Sequence, residues 1–481
     1  MDHKNMDQTN QKLPAFGGVL FVLLFLAIGM AISVKWLNIP VHVTLLLTIV
    51  VATIVAMKYG FSWKEIQDAM LYGANLAMLP MLILMIIGVV IGTWVASGTI
   101  QTIIYYGLLI LSPSYFLVAA AIAVSLASMS TGSSYTSGGT VGVAMMGIGA
   151  GLGVPAAMTA GAVISGAILG DKMSPLSDST NLASAVGEAD LFDHIRSMMY
   201  TTIPAFIIAL IAYWLLGLFY VEGTADASQV ELITSTLRDN FVINPIMLIP
   251  PVLVIIMAIK KVASLPTMIV ASLVAAALAM IFQGANLTDI TNVMNYGYTG
   301  NTGVAVVDQI LTRGGLQSMM WTVSLGFIGV GLGGILEKTR MLEVFLARFK
   351  SLIASTGGLI ATTVGSAIAL NLATASQYMA IIITGRMVIP EYKNKKLLPR
   401  VLSRTLEDAG TVFSPLVPWG LCGVFFTGAL GVPTTQYFPF VFLAIFVPII
   451  AVIYGYTGYA VWFEGDIDDP TAYSSQENIK S

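Results

Sequence analysis

Between Asp68 and Asp171 the chain carries no Asp, Glu, Lys, Arg or His. A stretch like Ala69 to Gly170 has nothing to keep it dissolved as a soluble surface, where about a quarter of residues are normally charged. It is long enough for several membrane spans, each needing roughly 20 apolar residues. Inside hydrocarbon every backbone amide must be bonded within the protein, so the spans are expected to be helices. The rest of the chain follows suit. Of 481 residues, 57% are hydrophobic and 10% charged, and the mean hydropathy is +0.86. The expectation is an all-α polytopic membrane protein.

The same numbers exclude other classes. A formal net charge of -3 offers no basic face for nucleic acid. The single cysteine, Cys422, rules out a disulfide framework and a Cys-based zinc site. His3, His42 and His194 lie far apart and match no metal-ligand spacing. No cofactor is expected. There is no Walker motif and no Gly-x-Ser-x-Gly elbow with a matched His, so an enzyme has no support. The glycines Gly326, Gly329, Gly331, Gly333 and Gly334 sit in an apolar helix and read as close helix packing. The 25 Met read as helix filler, and Cys422 as an inert residue of an apolar run.

Apolar runs predict helices near 16–34, 41–58, 76–97, 114–130, 155–170 and 197–220. A second set lies near 245–259, 264–283, 316–336, 352–373, 378–390, 411–430 and 437–457. The chain therefore divides into a polar cytoplasmic tail (1–13), a first membrane repeat (14–220), a polar connection (221–244), a second repeat (245–459) and an acidic tail (460–481). The apolar run after the first tail lacks a small-residue cleavage site and reads as a retained span.

The two halves look like copies. Trp63 to Gly73 resembles Leu287 to Gly297, and Ile39-Pro40 resembles Leu265-Pro266. Gly88 and Gly92 lead to Ser128, Thr131, Ser133 and Tyr135, as Gly329 and Gly333 lead to Asn371, Thr374, Ser376 and Tyr378. Ser174-Pro-Leu176 recurs as Ser414-Pro-Leu416. Basic residues fall in opposite places of the two copies. Lys58 and Lys64 follow the second helix of the first half, whereas 289–313 has one basic residue. Lys338, Arg340, Arg348 and Lys350 fill a place whose counterpart, Gly98 to Ser112, has no charge. Because cytoplasmic loops collect Lys and Arg, this pattern predicts inverted-topology repeats with re-entrant hairpins and broken helices.

Two segments break the apolar pattern. In Gly170 to Asn181, Pro175 removes an amide donor and unwinds the chain. Asp171, Ser174, Ser177, Asp178, Thr180 and Asn181 there supply hard oxygen donors, suited to a small cation such as Na+. Asp171 and Asp178 are the expected proton-coupling groups, since carboxylates inside a membrane are costly and functional. The alternative is an ordinary polar loop. The second segment, Ser128 to Gly139, offers Ser130, Thr131 and Ser133 either as an ion-binding hairpin tip or as small-residue packing. Its counterpart supplies Asn371, Thr374 and Ser376. Glu407, Asp408 and Ser414 match the aspartate segment. The two acids either serve transport or lie at the membrane surface paired with Arg404. Lys172 either snorkels to water or acts as an internal counter-ion that frees the site when Asp171 is protonated.

The string from Asp171 to Asn181, with Ser414-Pro-Leu416 and the hydroxyl-rich tip, resembles the NhaC family of Na+/H+ antiporters within the ion transporter superfamily. The resemblance spans about Pro14 to Tyr459. It implies an inverted-repeat carrier in the bacterial plasma membrane that exchanges cytoplasmic Na+ for external H+. It carries over to Asp171, Ser174, Asp178, Thr180 and Asn181. It does not reach Glu407 or Asp408, because the second-half acid sits three residues further from its Ser-Pro-Leu. The family also includes carriers that swap malate and lactate with H+ and Na+. The first expectation is thus a secondary Na+/H+ antiporter. The alternative is an antiporter or symporter of small organic acids, or of another small metabolite, coupled to Na+ or H+. Lipid is the expected surrounding, and a homo-oligomer stays open.

Overall fold

The computed structural model describes residues 13–33, 40–219, 227–348 and 353–466. Most of the N-terminal tail, the start of the polar connection and the end of the acidic tail lie outside the described residues. Those that are described form helices joined by short turns. Among them there is no strand beyond two isolated bridges, Tyr298 with Arg313 and Leu397 with Phe463.

The first half runs α1 (Phe16–Ile32), α2 (Val41–Lys58), α3 (Trp63–Ala96), α4 (Thr99–Ile110) and α5 (Pro113–Thr131). It continues through α6 (Ser134–Ser137), a π turn (Gly138–Gly142), α7 (Val143–Gly151), α8 (Ala156–Lys172), α9 (Asp178–Val186) and α10 (Leu191–Phe219). Residues of the polar connection form α11 (Ala227–Asn240). The second half runs α12 (Ile249–Ile259), α13 (Ser264–Phe282), α14 (Leu287–Tyr296), α15 (Ala305–Leu311), α16 (Met320–Lys338) and α17 (Met341–Leu346). Then come α18 (Thr356–Thr374), α19 (Gln377–Asn394), α20 (Pro399–Phe413), α21 (Leu421–Leu430), α22 (Thr434–Tyr437) and α23 (Phe442–Thr457). Among the described residues seven helices are long and apolar enough to cross a membrane, or ten if each bent pair is one span.

Helices α3 and α14 open on the same local chemistry. Helix α3 opens with a capping box in which Ser62 and Glu65 each satisfy the other's backbone amide. Helix α14 opens with the same device built from Asn286 and Asp289. The two helices then diverge. Helix α3 runs on for 34 residues, past Pro80, while α14 stops at Gly297, which takes a positive φ of 90°. The turn after α15 lies against α3, where Gly315 N donates to Gly88 O at 2.6 Å.

Some boundaries differ from the sequence expectation. The apolar run 411–430 is not one span. Helix α20 starts earlier, at Pro399, ends in a 3-10 turn at Ser414–Leu416, and bends 45° into α21. The run 437–457 is likewise bent, by 57°, between α22 and α23. A helix rather than a loop spans Ala227–Asn240, and α4 and α7 lie outside the expected runs.

Glycine sets how close the helices come. A Cβ on Gly73 would overlap the Val330 carbonyl, and one on Gly334 the Ala69 carbonyl, so α3 and α16 touch backbone to backbone. Helices α5 and α8 do the same. A Cβ on Gly166 would overlap the Ala121 carbonyl, and one on Gly170 the Ser125 carbonyl. Ser128 Oγ crosses that contact to donate to Ala167 O at 2.6 Å. This packing brings the end of α8 under the tip of α5. Gly166→Ala is therefore expected to cost about 1–3 kcal/mol through forced separation of the two helices. Gly365→Ala, where a Cβ meets nothing within 4 Å, is expected to stabilise its helix slightly. Thermal unfolding of the detergent-purified variants checks both signs.

Candidate functional site

The hydroxyl-rich segment forms a hairpin tip. Helix α5 ends at Thr131, and Gly132 takes the left-handed conformation at φ 64°. Ser133 then caps α6, accepting from Thr136 N at 3.2 Å, while Thr131 Oγ1 accepts from Ser133 N at 3.3 Å. The second half repeats the turn. Ala375 is left-handed at φ 57°, Ser376 caps α19 by accepting from Met379 N, and Thr374 Oγ1 accepts from Ser376 N at 3.3 Å.

The aspartate segment is a helix break, as the proline requires. Helix α8 stops at Lys172 and α9 starts at Asp178, with Ser177 as its cap accepting from Thr180 N at 3.4 Å. Thr180 Oγ1 donates to Lys172 O at 3.2 Å, and Asn181 Nδ2 donates to Ser177 O at 2.7 Å and Pro175 O at 3.0 Å. These side chains satisfy carbonyls that an unbroken helix would have bonded itself.

The hairpin tip and the break face one cavity of about 390 Å³. Thr131, Ser133, Ser134, Asp171, Ser177 and Asp178 line it from the first half, together with Pro80 of α3. The second half closes it with Lys261 and its neighbours between α12 and α13, and with Gln377 and Tyr378 at the start of α19. Ser134 Oγ donates to Asp171 Oδ2 at 2.7 Å, so the tip of the hairpin holds the carboxylate directly. Asp171 is only 7% exposed, whereas Asp178 is open to the cavity. Beside this wall, Tyr135 Oη lies 3.0 Å from Cys422 Sγ, which donates to Gln377 Oε1 at 3.3 Å. The cysteine expected to be a bystander thus ties both hairpins to α21.

Behind the cavity wall sits a second polar layer. Glu407 and Asp408 are neighbours on α20, so their side chains diverge by about 100° around the helix. Glu407 turns to α9, where Ser179 Oγ donates to its Oε1 at 3.0 Å. Asp408 turns to α8 and α10, forming an ion pair with Lys172 and accepting from Thr201 Oγ1 at 3.0 Å. Lys172, Glu407, Asp408 and Arg404 are all fully buried. Two alternatives left open by the sequence are decided here. Lys172 does not snorkel, and its partner is Asp408 of the other half rather than Asp171. Glu407 and Asp408 do not lie at a surface paired with Arg404, whose Nη1 instead donates to Ala460 O at 2.7 Å. The buried ion pair accounts for the depth, since each charge makes the other tolerable away from water.

The structure gathers some expected residues and sets others aside. Ser130 is exposed and donates back to Leu126 O, and Asn181 is exposed while stitching the break. Ser174 is buried beside the break and accepts from Leu176 N at 3.4 Å. Asn371, Thr374, Ser376 and Ser414 are buried but off the cavity wall. Asn371 Nδ2 props α20 by donating to Gly410 O at 2.7 Å. Ser134, one place beyond the expected Ser133, and Thr201, inside an apolar run, were not singled out by spacing. Only their partners, distant in sequence, reveal them. Among the described residues no group of three His, Cys, Asp or Glu converges as a metal site.

A model of the Na+/H+ antiporter family matches residues 8–180 and 166–459. This chain belongs to that family. It is 38% identical over 445 residues to the Na+/H+ antiporter NhaC of Alkalihalophilus pseudofirmus, covering 92% of this chain and 96% of that one. It is 37% identical to the malate-2H+/Na+-lactate antiporter of Bacillus subtilis, over 94% of this chain and 97% of the relative. It is 35% identical to the arginine/ornithine antiporter ArcD of Halobacterium salinarum, over 96% of each chain. With its apolar helices, family membership makes it a multi-pass protein of the bacterial plasma membrane.

Removing one member of the buried pair leaves the other charge uncompensated. Lys172→Met is expected to cost about 3–5 kcal/mol, and adding Asp408→Leu to recover most of it. Thermal unfolding in detergent reads both values.

Proposed function

We propose that the chain exchanges Na+ for H+, and that Asp171 is the carboxylate over which the two compete. The observation that carries this is the position of Asp171. It is buried beneath a hairpin tip, hydrogen-bonded by Ser134, on the wall of a cavity built from both halves. Shelter from water favours the neutral form of a carboxyl group, whereas a bound cation favours the charged form. One carboxylate that is bare for Na+ and protonated otherwise couples the two flows without ATP. Ser133, Ser134, Ser177 and Asp178 add oxygen ligands of the kind a hard cation prefers. The two halves act as inverted copies, with alternating access arising from one unit moving against the other around the cavity. The repeated capping boxes and hairpin turns support a common origin for the two units.

A second reading is favoured by the cavity's size. At about 390 Å³ it falls within the range of small-molecule pockets, about 300–1,000 Å³. Lys261 on its wall could face an anionic group of a small organic acid. The malate/lactate and arginine/ornithine relatives make organic cargo chemically reasonable for this architecture.

Asp171→Asn is expected to abolish Na+-driven pH changes in inverted membrane vesicles; retained exchange with normal Na+ affinity would remove Asp171 from the mechanism. Proteoliposomes given Na+ alone, or Na+ with labelled malate, lactate or arginine, separate the two readings. Na+/H+ exchange without organic solute supports the first.

A further inference from the structure

Behind Asp171 the structure holds a carboxylate with its own path to the cavity. Glu407 is fully buried and is not on the cavity wall. Ser179 is on that wall, yet its hydroxyl donates to Glu407 Oε1 at 3.0 Å. A serine hydroxyl has one proton to give. With that proton directed at Glu407, the 3.1 Å contact between the Ser177 and Ser179 hydroxyls must have Ser177 as donor. Ser177 and Asp171 line the same cavity. While Ser177 donates to Ser179, its hydroxyl oxygen is left to accept a proton from the cavity side, where Asp171 stands. The donors run in one direction, from Ser177 through Ser179 to Glu407.

We propose that Glu407 is a second proton-carrying carboxylate of this exchanger, and that Ser179, through Ser177 and Asp171, is its route to the cavity. The proposal rests on the Na+/H+ reading and deepens it. In the transfer Asp171 gives its proton to Ser177 Oγ, Ser177 passes its original proton to Ser179 Oγ, and Ser179 passes its own to Glu407 Oε1. Each oxygen on the way loses one O–H bond and gains one. Asp171 ends as a carboxylate and Glu407 as a carboxylic acid, with both hydroxyls neutral. The reverse sequence empties Glu407 into the cavity.

The surrounding charges leave Glu407 free for this role. Asp171 and Lys172 face it from α8, with Asp178 on α9 beside Asp171. His194 of α10 faces Lys172 and Arg404 and bonds Ser403 Oγ at 2.9 Å. On its own helix stand Arg404, faced by Tyr392 of α19 and Tyr454 of α23, and Asp408. Lys172 is committed to Asp408, and among the described residues Glu407 forms no ion pair. Na+ entering beside Asp171 repels a proton on either carboxyl group, so both empty as one cation binds. More H+ than Na+ then moves per cycle.

The test uses the full-length protein in liposomes and two assays. One follows Na+-driven H+ movement with an internal pH dye. The other follows exchange of labelled Na+ for unlabelled Na+ at equal pH, which needs no net proton transfer. Ser179→Ala is expected to slow Na+/H+ exchange by about 100-fold, and Na+/Na+ exchange far less. Ser179→Thr, which keeps the hydroxyl, is expected to restore Na+/H+ exchange. Glu407→Gln is expected to lower the number of H+ moved per Na+, read as a shifted reversal potential. Na+/H+ exchange at the wild-type rate in Ser179→Ala overturns the proposal. So does an equal loss of both exchanges in Ser179→Ala and Glu407→Gln, because a merely structural role moves them together. Wild-type liposomes that exchange no labelled Na+ overturn the cargo assignment itself, and that failure is distinct because it appears in the unmutated protein.

Discussion

The contact on which this arrangement depends is the ion pair between Lys172 and Asp408, which joins residues 236 positions apart and leaves neither exposed. Two isolated charges at this depth would each be prohibitively desolvated, so they hold together the segments that carry them. Through this pair the end of α8 is fixed against the middle of α20, and Thr201 of α10 adds a third strut. Fixing α20 in turn aims Glu407 at Ser179, since adjacent helix positions point in different directions. The polar layer thus has one register. Asp171 belongs to the cavity, Asp408 to the scaffold contact, and Glu407 lies between them.

Close helix contact makes this register possible. The glycines of α3, α8 and α16 let backbones meet where side chains would keep them apart. In a membrane, where lipid removes most of the hydrophobic incentive for helices to associate, such packing is a principal source of cohesion. It also brings the Ser128 hydroxyl to the Ala167 carbonyl, and so places the hairpin tip above Asp171.

Much of this was legible in the sequence, for local reasons. The charge-free interval demanded helices and Pro175 a break, while the hydroxyl-rich run Ser128 to Gly139 left a hairpin tip and plain helix packing equally open. Helices α3 and α14, which contain the similar strings Trp63–Gly73 and Leu287–Gly297, each open with a capping box, at Ser62 and at Asn286. The depth of the second acidic pair was not legible. An Arg404, Glu407 and Asp408 cluster on one helix has the spacing of a solvated face, and nothing nearby in sequence announces Lys172 as a partner. Lys172 itself looked like a residue able to reach water, because burial is set by what packs over it from the other half. Within the apolar run 411–430, hydrophobicity reports the surroundings of a segment and not its continuity, whereas Gly410, Pro415 and Pro418 mark an unwound stretch, and the chain bends there by 45°.

The matched turns at Gly132 and Ala375 carry different work in their two settings. The first presents its hydroxyls and Ser134 to the cavity, while near the second Asn371 braces a neighbouring helix. One bend thus serves the cavity and the other gives mechanical support, a division of labour between two turns of one shape. Transplanting the second tip's residues into the first would preserve the shape of the bend and lose its purpose, because geometry is what the two turns share and chemistry is where they differ.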